Sequence, residues 1–188
     1  MLAPAAAAAS PSVDCAPSAA KVLRASALAQ LYSQGGVLYG CTAARQTRLG
    51  ALRGTRPAPG TRIALYALAG HYAGLDTAQM GIDTFDSSVS VYDLRSGRRI
   101  ATAPGTTPEG RAESFMTVSV IAVNRDGVLA WIGQRSAVGV AQPTYELHLL
   151  KAGTNTILAT NTVKVANLKL TATTIAWTDA TGRRSKRL

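Results

Sequence analysis

From residue 21 onward, apolar positions along this chain recur every second residue rather than every 3.6, the period of half-buried strands. VSVYDL (Val89 to Leu94) sets Val89, Val91 and Asp93 on one face against Ser90, Tyr92 and Leu94 on the other, RSGRR turns, and IATA (Ile100 to Ala103) returns. This predicts a hairpin in which Gly97 supplies the turn conformation. The same grammar recurs in YELHLLKAGTNTILAT (Tyr145 to Thr160), with LKAGTN as the turn. SFMTVSVIAVNRDGVLAWIG (Ser114 to Gly133) reads as a Val/Ile-rich strand, an NRDG turn and a second apolar strand ending in Trp131, and TVKVANLKLTATTIAWTD (Thr162 to Asp179) repeats that unit with Trp177. Helix signals are scarce. Only APSAAKVLRASALAQLY, residues 16 to 32, is helical by propensity, and it too is read as strands.

Internal repetition is the most informative feature. VLAW (Val128 to Trp131) matches TIAW (Thr174 to Trp177), HYAG (His71 to Gly74) is a weaker copy aligned on Ala73, and GGVLYGCT (Gly35 to Thr42) is a candidate fourth. Units of about 40 to 50 residues holding four short antiparallel strands are the mark of propeller blades.

Taken together, VSVYDLRSGRR, NRDGVLAWIG and TIAWTDATGR resemble the blades of TolB-like and WD40-like β-propeller proteins, in particular exported actinobacterial proteins of this general size. The resemblance covers residues 36 to 188 and implies a fold and a ligand- or protein-binding role; it carries over no catalytic residue. No copy holds a full Gly-His and Trp-Asp signature, and about 45 residues per repeat leaves fewer than four full blades after Lys21. The expected fold is therefore all-β, with an incomplete set of about three to four antiparallel propeller-like blades. A β-sandwich or barrel would use the same strands. An open stack exposes strand edges. An N-terminal strand completing the last blade, self-association, or a Lys/Arg-rich guard strand at the C-terminus would each cover them.

Composition supports a folded chain: 47% hydrophobic and 16% charged, with no uninterrupted apolar run near the roughly 20 residues of a membrane-spanning helix. Residues 1 to 20 read as an Ala/Pro-rich leader, the remnant of a secretory signal peptide with small-residue cleavage options around Ala7 to Ser10, and residues 21 to 188 as a single β-repeat domain. Cys15 and Cys41, the only cysteines, are expected to form one stapling disulfide, which agrees with a secreted or cell-envelope location. Without a Cys/His partner set they predict no zinc site.

The net charge is +10, and 15 of the 20 basic residues are arginine. Arg45, Arg48, Arg53, Arg56 and Arg62 stand together without an acid among them, and Arg183, Arg184, Lys186 and Arg187 form the C-terminal run; each group is a candidate anion-binding patch. Specific nucleic-acid binding is not expected, because the first group has no interleaved aromatic. Anionic envelope polymers or another protein are the expected partners.

Catalytic chemistry is thin. No nucleophile elbow, zincin, Walker or dinucleotide motif occurs. His71 and His148 read as strand histidines, Asp83 and Asp86 as loop acids, Asp93 as a residue bonding its own hairpin, and Trp131 and Trp177 as packing between repeats. No catalytic residue, metal ligand or cofactor is assigned. The expected function is an exported, non-catalytic binding or scaffold protein; an exported hydrolase or lyase on the same fold and a structural envelope protein are the alternatives. An enzyme would require at least two of His71, Asp83, Asp86, Glu109, Glu113 and His148 to converge on one atom.

Overall fold

A computed structural model describes residues 13–54, 60–80, 85–107, 114–137, 142–160, 163–179 and 181–188. The cleavage options, Arg56, Asp83, Glu109 and Glu113 lie outside these residues. The described chain is all strand and turn, in four successive antiparallel meanders. The first holds β1 (Lys21–Ala25), β2 (Gln30–Gln34), β3 (Val37–Thr42) and β4 (Arg45–Ala51). The second holds β5 (Gly60–Ala69), β6 (Tyr72–Met80), β7 (Phe85–Asp93) and β8 (Arg98–Pro104), and the third β9 (Ser114–Val123), β10 (Leu129–Ala137), β11 (Thr144–Lys151) and β12 (Thr154–Thr160). The last has three strands, β13 (Val163–Leu170), β14 (Thr174–Asp179) and β15 (Gly182–Arg187). One parallel bridge, Phe85 to Phe115, links β7 to β9 and joins the second and third meanders.

Turn chemistry explains why these strands reverse where they do. Gly35 and Gly36 both take positive φ between the paired residues Gln34 and Val37, as a two-residue hairpin turn with right-handed strand twist requires. In the NRDG turn, Asn124 Oδ1 accepts from the Asp126 and Val128 amides while Nδ2 donates to Thr171 O, so one side chain shapes its own turn and fastens it to the last meander.

Period-two alternation also builds the core. Each interior meander is apolar on both faces because each is covered on both sides. In β10, Leu129 and Trp131 face the second meander while Ala130 and Ile132 face the last. In β7, Val89 and Val91 pack toward β9 and β10, whereas Tyr92 and the following Leu94 join Leu31, Leu38 and Leu75 against the first meander. Three apolar layers result, one between each consecutive pair of meanders. Trp131 and Trp177 occupy equivalent places: the second strand of successive meanders, turned toward the meander before.

The weaker copies shift. Ala73 and Leu75 face the first meander as Leu129 and Trp131 face the second, so Ala73 corresponds by face to Leu129 rather than Ala130. GGVLYGCT is not a fourth copy of the step, because it forms the β2–β3 turn and β3. Its own meander carries the step on β2, where Tyr32 is fully buried and stacked on Tyr39.

No closed barrel or ring forms among the described residues. The N-terminal segment covers the first meander and does not complete the last: Cys15 is bonded to Cys41 of β3, and Gln30 Oε1 accepts from the Cys15 and Ala16 amides at 3.3 and 3.1 Å. At the other end, the outer face of the last meander carries Lys169, Arg183 and Ser185, all exposed. A stack of repeats needs such hydrophilic or covered end faces to stop further addition. No helix among the described residues is long and apolar enough to cross a membrane.

Candidate functional site

Strand alternation and packing divide the first arginine group. Arg45 shares a face with Thr47, and both lie against the β7–β8 turn: a Cβ built on Gly97 would stand 3.1 Å from Arg45 Nη1 and 3.0 Å from Thr47 Oγ1. Arg48, paired with Tyr39, lies on the opposite face of β4. Arg53 follows β4, its guanidinium 5.7 Å from the centre of the Phe85 ring. Arg62 Nη1 donates to Thr61 O at 3.0 Å. The turn that meets Arg45 is itself basic, with Arg95, Arg98 and Arg99, so tertiary structure assembles a rim from two distant segments. Asp93 shapes that turn as expected, accepting from the Arg95 amide at 2.9 Å through Oδ1 and from the Gly97 amide at 2.8 Å through its carbonyl.

Beside this rim, a cleft of about 280 Å³ opens between the first and second meanders. Leu49 to Ala51 form one wall, and Arg62, Thr77, Ser88, Ser90, Tyr92 and Arg99 line the rest. Arg99 reaches it because of a β-bulge. The register of β7 with β8 shifts between Val91 and Tyr92, so Ile100 is the extra residue, half-exposed, and Arg99 pairs with Tyr92 while Thr102 pairs with Ser90. Regular alternation would send residues 99 and 102 to opposite faces; the inserted residue returns them to one. The cleft thus joins two guanidinium-bearing residues to a row of hydroxyls, a donor-rich lining suited to an anion.

The second arginine group splits too. Arg184 bonds Asp179 Oδ2 at 3.2 Å and Thr181 Oγ1 at 2.6 Å, closing the β14–β15 turn, whereas Arg183 points to the other face of β15.

Two buried acids were hidden from motif reading. Glu146 and His148 stand two apart on β11 and therefore share a face. Nε2 of His148 lies 2.9 Å from Glu146 Oε2 and Nδ1 lies 3.2 Å from Asn155 Oδ1, while the ring stacks on Trp131 with centres 4.8 Å apart. Glu146 also accepts from the Thr107 amide at 2.7 Å, and Trp131 Nε1 donates to Gly105 O at 2.7 Å. Burial alone would raise the Glu146 pKa, but the Thr107 amide and His148 outweigh it and hold the carboxyl below its usual range. The group fastens the 105–107 segment over the third meander. The Glu-x-His spacing on a strand was the available signal.

Asp76, 1% exposed, accepts from Ser87 Oγ; burial, opposed by that bond and by Arg53, pushes its pKa up to about 6 from 3.8. The folded protein therefore holds an extra proton between those values, and stability falls as pH rises through that window. Asp76→Asn keeps an acceptor for Ser87 and removes the charge. It should raise stability by about 2–3 kcal/mol at pH 7.5 and by almost nothing below pH ~4, read from urea midpoints at the two pH values.

His71 Nε2 lies 3.8 Å from Asp93 Oδ1, and burial, with Arg95, lowers its pKa against the pull of Asp93. His71 and His148 thus have separate acidic neighbours, and Asp86 lies on β7, paired with Gln79. Among the described residues no group of three or more His, Cys, Asp and Glu side chains could hold a metal ion.

The chain matches no known family, and no curated protein is detectably similar to it.

Proposed function

We propose that the protein is an exported, non-catalytic binding or scaffold module of propeller-like build, whose partner is an anionic envelope polymer. The propeller-like reading is supported by the succession of meanders, three of four strands and a last one of three, and by their first strands, since β1 packs on β5, β5 on β9 and β9 on β13, as inner strands of neighbouring blades do. Export is supported by the Cys15–Cys41 disulfide.

The observation that carries the binding role is the contact of Arg45 with the Gly97 turn, which brings the β4 and β7–β8 arginines to one rim beside a hydroxyl-lined cleft. Partly exposed cations gathered on one rim attract a polyanion through salt-sensitive contacts. With heparin as the probe polymer, calorimetric titration should show affinity falling as salt is raised. The Arg45→Ala/Arg99→Ala protein should bind roughly tenfold more weakly, each charge contributing up to about 1 kcal/mol. A protein losing the same charge at Lys21 and Lys151 should bind nearly as the parent does. Equal loss in both double variants, or salt-independent binding, would defeat the proposal.

A further inference from the structure

Register along the sheets sets the last meander apart. In all four meanders the second strand pairs with the third without a break, in β2–β3, β6–β7, β10–β11 and β14–β15. Where a fourth strand follows, it carries one extra residue: Leu49 in β4, Ile100 in β8 and Leu158 in β12. Such bulges bend an outer strand and blunt its free edge. β15 therefore stands in the third-strand place by register as well as by order, and it is the edge of its sheet among the described residues. That edge is straight. Its pairs run unbroken from Asp179–Gly182 to Thr174–Arg187, and Leu188 N donates to Thr173 O at 2.8 Å on the next rung.

Antiparallel rungs alternate, so the Leu188 bond fixes which backbone groups face outward. Leu188, Lys186 and Arg184 turn theirs toward β14, and the N–H and C=O groups of Arg183, Ser185 and Arg187 point away from it. Arg183 to Arg187 are all exposed. Residues 182–188 hold four cations and no acid. The nearest acid along the chain, Asp179, is engaged by Arg184 and Thr181.

We propose that the β15 edge takes up an acidic, extended peptide segment of a partner protein as a fourth, antiparallel strand. Main-chain bonds at Arg183, Ser185 and Arg187 hold it, and carboxylates opposite Arg183 and Arg187 select it. In such a ladder the residues opposite those three turn their own N–H and C=O toward β15, so the two acids stand four apart on one face. The same cations reject a second copy of this chain. Two β15 strands paired antiparallel about Ser185 would set Arg183 against Arg187 and Arg184 against Lys186. Lys and Arg thus close the edge to like strands and leave it open to acidic ones. The site is separate from the Arg45 rim, and either can fail without the other.

The probe is a capped seven-residue peptide with glutamate at its second and sixth positions and valine or threonine elsewhere. Titrated at low salt into the whole ¹⁵N-labelled protein, it should shift amide signals saturably, with the largest changes at Arg183, Ser185 and Arg187. Amide hydrogens of those three should exchange roughly tenfold more slowly with the peptide in place. N-methylation of the second, fourth and sixth peptide amides removes the donors that face β15 and should weaken binding at least ~tenfold. N-methylation of the third and fifth spares them and should change binding by less than about threefold. These peptides carry equal charge and leave the fold of the protein untouched. A peptide with lysine in place of both glutamates should show no saturable binding. Arg183→Ala/Arg187→Ala should weaken binding of the acidic peptide about fivefold, and Lys21→Ala/Lys151→Ala by less than about twofold. No saturable shift, shifts centred away from β15, equal binding of the two methylated peptides, or equal binding of the lysine peptide would overturn the proposal.

Discussion

Trp131→Ala should lower unfolding stability by about 4–5 kcal/mol, the largest effect expected of any single substitution here. Trp131 is fully buried in the layer between the second and third meanders, among Val89, Val91 and Leu150. Its removal leaves a cavity that neighbouring strands cannot close, unpairs the Gly105 carbonyl, and strips the stacking partner from the buried His148. The 105–107 segment fits there closely. A Cβ on Gly133 would stand 2.1 Å from Gly105 O, so the backbones already touch with no room to collapse inward. Trp131→Phe separates the contributions, since it keeps most of the apolar volume and the ring but not the N–H, and should cost about 1–3 kcal/mol. Urea unfolding followed by circular dichroism measures both. Because whole domains are stable by only about 5–15 kcal/mol, the alanine protein should be close to unfolded at 37 °C. A midpoint unchanged from the parent would mean that the apolar layers do not hold the stack together.

Breaking the disulfide should be the next most damaging change. Cys15 and Cys41 are separated by 26 positions, and a loop of that size restricts the unfolded chain by about 3.5 kcal/mol in the chain-entropy treatment. Cys15→Ala/Cys41→Ala should lose that amount and somewhat more, because the bond also holds the segment that covers the outer face of the first meander, where Tyr32 is buried. Alanine is preferred to serine at Cys41, which is 1% exposed, so that no unpartnered hydroxyl is buried. Treating the parent protein with dithiothreitol should reproduce the same drop in urea midpoint and leave the double variant unaffected. Equal stability of parent and variant would show that the N-terminal segment contributes nothing to the fold.

The strands themselves were legible. Hairpins around Gly97, around the Asn124 to Gly127 turn and around Ala152 and Gly153 lie where period-two alternation and turn residues set them, because both are local properties of a few adjacent residues. The helical propensity of residues 16–32 gave way to β1 and β2, whose Leu31 packs against the second meander. The Trp131 and Trp177 repeat was legible for the same local reason, while the copies in the first two meanders were misaligned, since Leu75 and Tyr32 fill that place without the Ala-Trp pair.

Sites were less legible. The arginines at 45 and 95 to 99 are remote in sequence, and only packing of the first meander on the second brings them together. The Ile100 bulge, which turns Arg99 into the cleft, depends on cross-strand register and has no composition signature. Glu146 and His148 were within reach of a period-two reading, but their burial and their hold on the Thr107 amide depend on a segment 39 positions away. By itself, then, the sequence determined an all-β chain of repeated strand-turn-strand units with a single stapling pair of cysteines, because alternation and turns are short-range. Tertiary structure alone decided which faces became core, which end the N-terminal segment covers, and which cations share a cleft, because those follow from how twisted meanders stack and from register shifts that no local pattern encodes.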